Sequence, residues 1–180
     1  MKTSVLRSTL LAMCATAVVS ASCAAAIPPG IEPLSQFTRE PLDVRTSAGE
    51  LRFEVWLADS PPRRSQGLMF IDRLAPRTGM LFLYDQPQTV SMWMKNTLIP
   101  LDMLFIAGDG RVTRIARNTT PQSLATISSM GTVTAVLEIA GGESKRLGIE
   151  VGDTVLHSSF GTAPATAGTA PAAASAPPSQ

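Results

Sequence analysis

The chain has 180 residues, 44% of them hydrophobic, which allows one ordinary domain with tails rather than two domains. Fifteen Lys/Arg against fourteen Asp/Glu give a net charge of +1, without the basic excess of a nucleic-acid binder or the acidic excess of a disordered chain. That average mixes three unlike segments.

Lys2 and Arg7 precede an apolar run from Leu10 to Val19, and small residues follow as far as Ala26. A positive start, a short apolar stretch and an A-x-A ending are the parts of a secretory signal peptide, here expected over residues 1–26. The run is too short to span a bilayer, which takes about 20 residues. Cys23 raises the rival reading of a lipoprotein, but Ser20 stands where such sites carry Leu, Val or Ile, so soluble export to the periplasm or beyond is expected. Both cysteines, Cys14 and Cys23, leave with the signal. A mature chain from Ile27 carries thirteen basic and fourteen acidic residues, a net of −1, and can use neither a thiol nucleophile nor a Cys-ligated zinc. No transmembrane segment is expected in that mature chain.

Residues 27–39, with three prolines and a glycine, read as a leader strand or linker. A single β domain is expected over residues 40–160. Leu42, Val44 and Thr46 alternate with charged neighbours, Ser47-Ala48-Gly49-Glu50 makes a turn, and Leu51, Phe53, Val55 and Leu57 alternate again, so the pair predicts a β-hairpin. Asp59 or Ser60 can cap a short helix with Pro61 in its first turn and Gly67 at its end. Met80–Tyr84 and Val90–Met94 are two strand candidates. Met103–Ala107 and Arg111–Arg117 flank Gly108-Asp109-Gly110, a strong hairpin turn. Thr132–Ile139 and Val151–Leu156 complete the strands, with a helical turn near Gly142–Leu147. Short strands separated by turns predict a mainly β fold, a compact antiparallel sandwich or barrel with one or two short helices. Residues 161–180 are almost entirely Ala, Pro, Thr, Ser and Gly, so the tail has nothing to bury and is expected to be disordered.

Several chemistries are unsupported. His157 is the one histidine, read as a surface residue near the end of the last strand, and no G-x-S-x-G turn presents a serine. Zinc ligands and Gly-rich phosphate or dinucleotide loops are lacking, so no metal or cofactor is expected. What stands out is a polar cluster in an apolar stretch, Val90-Ser91-Met92-Trp93-Met94-Lys95-Asn96-Thr97-Leu98-Ile99-Pro100-Leu101-Asp102-Met103. A charge among apolar residues is costly unless paired. Lys95 therefore either forms an internal ion pair with Asp102 or Glu138, or joins Trp93 and a carboxylate around a polar or anionic ligand. Arg63 and Arg64, on the short helix, read as a solvated face.

Gly67-Leu68-Met69, Gly79-Met80-Leu81-Phe82, Trp93-Met94-Lys95-Asn96-Thr97, Pro100-Leu101-Asp102, Val136-Leu137-Glu138 and Gly152-Asp153 occur in order. Over about residues 42–157 the chain resembles the small, often exported prokaryotic family catalogued as domain of unknown function 192. The W-M-K-N-T…P-L-D block carries most of that specificity. Where the family pattern places a basic residue two positions after Gly-Leu-Met, this chain has Ile71. The resemblance implies a compact, mainly β domain and brings no established activity, ligand or partner. The family's characteristic polar residues fall at Arg64, Lys95, Asn96, Thr97, Asp102, Glu138 and Asp153.

The expected function is a non-enzymatic, envelope-side β domain that binds a small polar or anionic ligand, or a partner. The candidate site residues are Trp93, Lys95, Asn96, Thr97, Asp102, Glu138 and Arg64. Two alternatives stand beside it. One is a hydrolase or transferase on envelope glycans with Asp102 and Glu138 about 5–10 Å apart across a cleft. The other is an assembly module that touches only other proteins.

Overall fold

The computed structural model of the protein describes residues 28–162. The expected signal segment with Cys23 and the tail from residue 163 onward lie outside the described residues.

Alternation of apolar residues builds the sheet. β1 (Arg39–Thr46) and β2 (Gly49–Ala58) form the expected hairpin, burying Leu42 and Val44 against Phe53 and Val55. The chain then turns through α1 (Pro61–Gln66), with Ser60 at its N-cap position, proline in its first turn and Gly67 at its C-cap. The Ser60 hydroxyl makes no cap bond. This crossover sets β3 (Thr78–Met92) parallel to β2, with Val55 beside Gly79. A parallel pair needs such a crossover, so the sheet is mixed rather than wholly antiparallel. β3 joins into one strand the two candidates read at Met80–Tyr84 and Val90–Met94, through an irregular stretch between Leu83 and Gln88. β4 (Leu101–Ile106), β5 (Val112–Ala116), β6 (Ile127–Ala140), α2 (Glu143–Arg146) and β7 (Thr154–Leu156) follow.

The seven strands lie in the order β5-β4-β6-β3-β2-β1-β7. The sheet curls until its two edges touch. Val112 N donates to Asp153 O, Gly152 N to Val112 O and Val155 N to Gly110 O, each at 2.8 Å. The molecule is thus mainly β, a curled half-barrel with two short α-helices. Two apolar cores result, one on each face. Leu42, Val55, Leu81, Leu104, Val112, Leu137 and Val155, one from each strand, fill the interior. Met80, Phe82, Met103, Phe105 and Val136 face outward and are covered by Phe37, Leu68 and Met94. Gly79 lies where sheet neighbours approach most closely, since a Cβ there would stand 2.3 Å from Glu138 O.

Two expectations need correction. Segment 28–38, read as a leader or linker, is docked on α1. Glu32 N donates to Gln66 Oε1 and Gln66 Nε2 to Glu32 O, both at 2.8 Å, and Phe37 is buried. His157, expected at the surface, is only 1% exposed. Its Nε2 stands 3.0 Å from Glu40 Oε2, and Ser159 N donates to its Nδ1. Burial pushes its pKa down, and the Glu40 carboxylate opposes that shift.

Candidate functional site

The outward core is incomplete between α1 and the sheet. A cavity of about 310 Å³ opens there, walled by α1, β3 and the loop after β3, with Glu138 of β6 in its lining. Glu138 shares a face with Met80, Phe82 and Met103 because it is paired in register with Met80 and Met103. It is 4% exposed, and burial pushes its pKa from 4.5 up to about 8. Most molecules therefore hold that proton at pH 7, which turns the carboxyl into a hydrogen-bond donor.

Two cations line the same cavity. Arg64, at the C-terminal end of α1, donates through Nη1 to Leu83 O at 2.7 Å and lies 5.3 Å from the Tyr84 ring centroid. Lys95 Nζ lies 5.4 Å from the Trp93 ring centroid. Each cation is thus held over an aromatic face, and among the described residues neither forms an ion pair. Tyr84 donates to Met92 Sδ at 3.6 Å. Burial pushes its pKa to about 12, with Arg64 opposing and Glu138 reinforcing the shift.

Five of the seven candidate residues, Arg64, Trp93, Lys95, Thr97 and Glu138, line this one cavity. Trp93 is half exposed at its edge. Asn96 does not line it. It adopts φ 55°, a left-handed turn that asparagine tolerates, and its carbonyl accepts from Phe70 N at 2.9 Å. Its place in the W-M-K-N-T block is explained by backbone geometry.

Asp102 is elsewhere. It is fully buried and caged by four donors: Asn118 N at 2.8 Å and Gly142 N at 2.9 Å on Oδ1, and Ser144 N at 2.9 Å and Ser144 Oγ at 2.6 Å on Oδ2. This carboxylate ties β4 to the α2 turn and the loop after β5. Its register partner is Ile139 of the interior core, whereas Glu138 belongs to the opposite face. The two acids therefore cannot flank one glycosidic bond, which removes the paired-carboxylate reading. Neither expected ion pair of Lys95, with Asp102 or with Glu138, is formed. Arg63 and Arg64 are not a solvated face either. Arg63 holds Glu32 at 2.7 Å and the Gln36 carbonyl at 3.0 Å, and Arg64 belongs to the cavity. Asp153 accepts from Glu150 N at 2.8 Å, beside the seam between the sheet edges.

Tyr84 is the lining residue that sequence reasoning missed. The signal was available, since Met80, Phe82 and Tyr84 alternate onto one face of one strand, and Tyr84 is the one tyrosine of the chain. Gly67 also lines the cavity, at φ 52° and ψ −137°, where a Cβ would approach Phe82 Cζ to 3.0 Å. Among the described residues no cluster of three or more His, Cys, Asp or Glu side chains could hold a metal ion, and no helix is long and apolar enough to cross a membrane.

Known proteins place the chain in a family. A protein from Sinorhizobium meliloti 1021, described as a candidate transcription regulator, has a crystal structure 43% identical to this chain. It matches 68% of this chain and 96% of its own, with a TM-score of 0.67. A protein of unknown function from Novosphingobium aromaticivorans DSM 12444 is 40% identical. There 73% of this chain and 93% of that chain are covered, also with a TM-score of 0.67. No curated protein matches. The family model of the domain of unknown function 192, described as an uncharacterized ACR, matches residues 43–157. With that match spanning well over half its length, the chain belongs to the domain of unknown function 192 family.

Proposed function

We propose that this protein is an exported, non-enzymatic β domain whose cavity binds a small anionic ligand. One observation carries the reading: two cations, Arg64 and Lys95, line a cavity whose single acidic residue, Glu138, is buried, with its pKa pushed up to about 8. A carboxylate or phosphate group would accept from the guanidinium, the ammonium and the Glu138 O–H, all charge-assisted bonds. The Trp93 ring at the edge offers the ligand's body a flat apolar contact. Export rests on the signal-like residues 1–26. The regulator description of the Sinorhizobium relative is not extended to this chain, because its near-neutral charge lacks the phosphate-neutralising excess that DNA binding draws on.

The test is titration calorimetry with inorganic phosphate, glycerol 3-phosphate and glucuronate. At least one should bind saturably, and Arg64→Gln and Lys95→Gln should each weaken it about tenfold, roughly 1.4 kcal/mol. Affinity should fall as pH rises through about 8, when Glu138 ionises and repels the anion, and that fall should vanish in Glu138→Gln. An absence of saturable binding to all three anions, or binding indifferent to both cation substitutions, overturns the reading.

A further inference from the structure

The cavity opens on an unusually apolar stretch of surface. Large exposed apolar side chains are few among the described residues, and four of them, Phe70, Trp93, Leu98 and Leu124, belong to three adjoining segments. Backbone bonds tie these segments together. Phe70 N donates to Asn96 O at 2.9 Å, Met94 N to Ser123 O at 3.0 Å and Gln122 N to Thr97 O at 3.1 Å. Leu124 is 70% exposed, Trp93 50% and Leu98 45%. Phe70 and Leu98 directly follow the cavity-lining Met69 and Thr97, so the apolar rim and the cavity mouth are one region.

We infer that this face docks on an anionic lipid surface, with the rim at headgroup depth and a headgroup phosphate between Arg64 and Lys95. The inference rests on the anion-binding reading above and names the source of the anion. Charge complementarity supports it: the cavity beside the rim is lined by two cations without carboxylate partners, whereas the chain as a whole is near neutral. Attraction to an anionic surface is therefore concentrated on the face that also carries the apolar side chains. Tryptophan beside lysine is the pairing that settles at a membrane interface, with the ring among the headgroups and the ammonium in water. Exposed apolar residues on an amphipathic surface enter the same zone. A soluble sugar acid would use the cavity and Trp93 but would leave Leu98 and Leu124 in water. A protein partner would cover the rim without needing a phosphate-sized cationic recess.

The experiment reads Trp93 itself. In the full chain carrying Trp56→Phe, Trp93 is the sole tryptophan, so its fluorescence reports the rim. Vesicles of phosphatidylglycerol with brominated acyl chains should shift its emission to the blue and quench it. Phosphatidylcholine vesicles should do so at least tenfold more weakly. Adding Arg64→Gln and Lys95→Gln together should lower the apparent affinity for phosphatidylglycerol at least tenfold, and Leu98→Ser with Leu124→Ser should do the same while leaving glycerol 3-phosphate binding intact. Unquenched Trp93, or quenching equal in both lipids or indifferent to the rim substitutions, overturns the docking. If glycerol 3-phosphate still binds in that case, the cavity's anion site stands and only the lipid surface falls. If none of inorganic phosphate, glycerol 3-phosphate and glucuronate binds, both readings fall together.

Discussion

Glu138 is better explained by function than by stability. Its carboxyl sits among Met80, Met103 and Phe82, where a well-packed apolar side chain would carry no desolvation penalty. The folded state raises its pKa from 4.5 to about 8, so it holds the proton more tightly than the unfolded chain does. Stability from this group is complete below pH 4.5, drains as pH rises, and levels off above about 8. The loss across that window should reach up to about 5 kcal/mol. Glu138→Gln should flatten the slope and leave the variant more stable than the wild type at pH 8, as read by urea denaturation across pH. A slope that persists in Glu138→Gln would assign it to another group. Asp102 shows the contrast, a buried carboxylate with four donors that serves the scaffold. In the sequence the two acids look alike, each one charge within an apolar strand. What separates them is strand register and donors from residues 16 to 42 positions away, which local reading cannot supply. His157 reads as a surface residue for the same reason, since its buried partner contact is with Glu40, 117 positions earlier in the chain.

At the scale of elements, strands announced by strict alternation were legible and those shaped by their neighbours were not. The β1–β2 hairpin was plain because Leu42, Val44, Phe53 and Val55 recur with period two. β3 looked like two strands because its middle, Asp85 to Thr89, is polar, exposed and interrupted by Pro87. α1 was correctly bounded by Pro61 and Gly67, but nothing in its sequence tells what holds it. Six residues are too few for a helix to persist alone. The docked leader holds it: Phe37 packs into the outward core with the Arg63 guanidinium 4.9 Å from its ring centroid, and Glu32 grips both Arg63 and Gln66. Phe37→Ala should therefore cost about 3 kcal/mol in urea denaturation. Because α1 carries Arg64, the same substitution should weaken anion binding in calorimetry. Unchanged stability would mean that the leader contributes nothing to the domain.

Across the whole molecule, the interior and the cavity occupy opposite faces of one sheet, so the barrel can be loosened without touching the site. The most sensitive point is the seam between β5 and β7, where Gly110 takes φ 84° and a Cβ would stand 2.5 Å from Val155 O. Both the positive φ and the backbone contact demand glycine. Gly152, in the family's Gly-Asp motif, works at the same seam at φ 101°, its amide bonded to Val112 O. Gly110→Ala must adopt a left-handed conformation and push β7 aside, costing about 1–2 kcal/mol for the first and a similar amount for the second. Hydrogen exchange should then quicken at the Val112, Gly152 and Val155 amides, which close the seam. Amides of the β3–β6 ladder, Leu81 and Leu137 among them, should stay protected, because that ladder lies at the centre of the sheet. Anion affinity should remain within about twofold, since no seam residue lines the cavity. If Gly110→Ala instead abolished anion binding while the β3–β6 amides stayed protected, the two faces would be coupled, and the cavity would depend on the seam between the sheet edges as well as on α1 and the loop after β3.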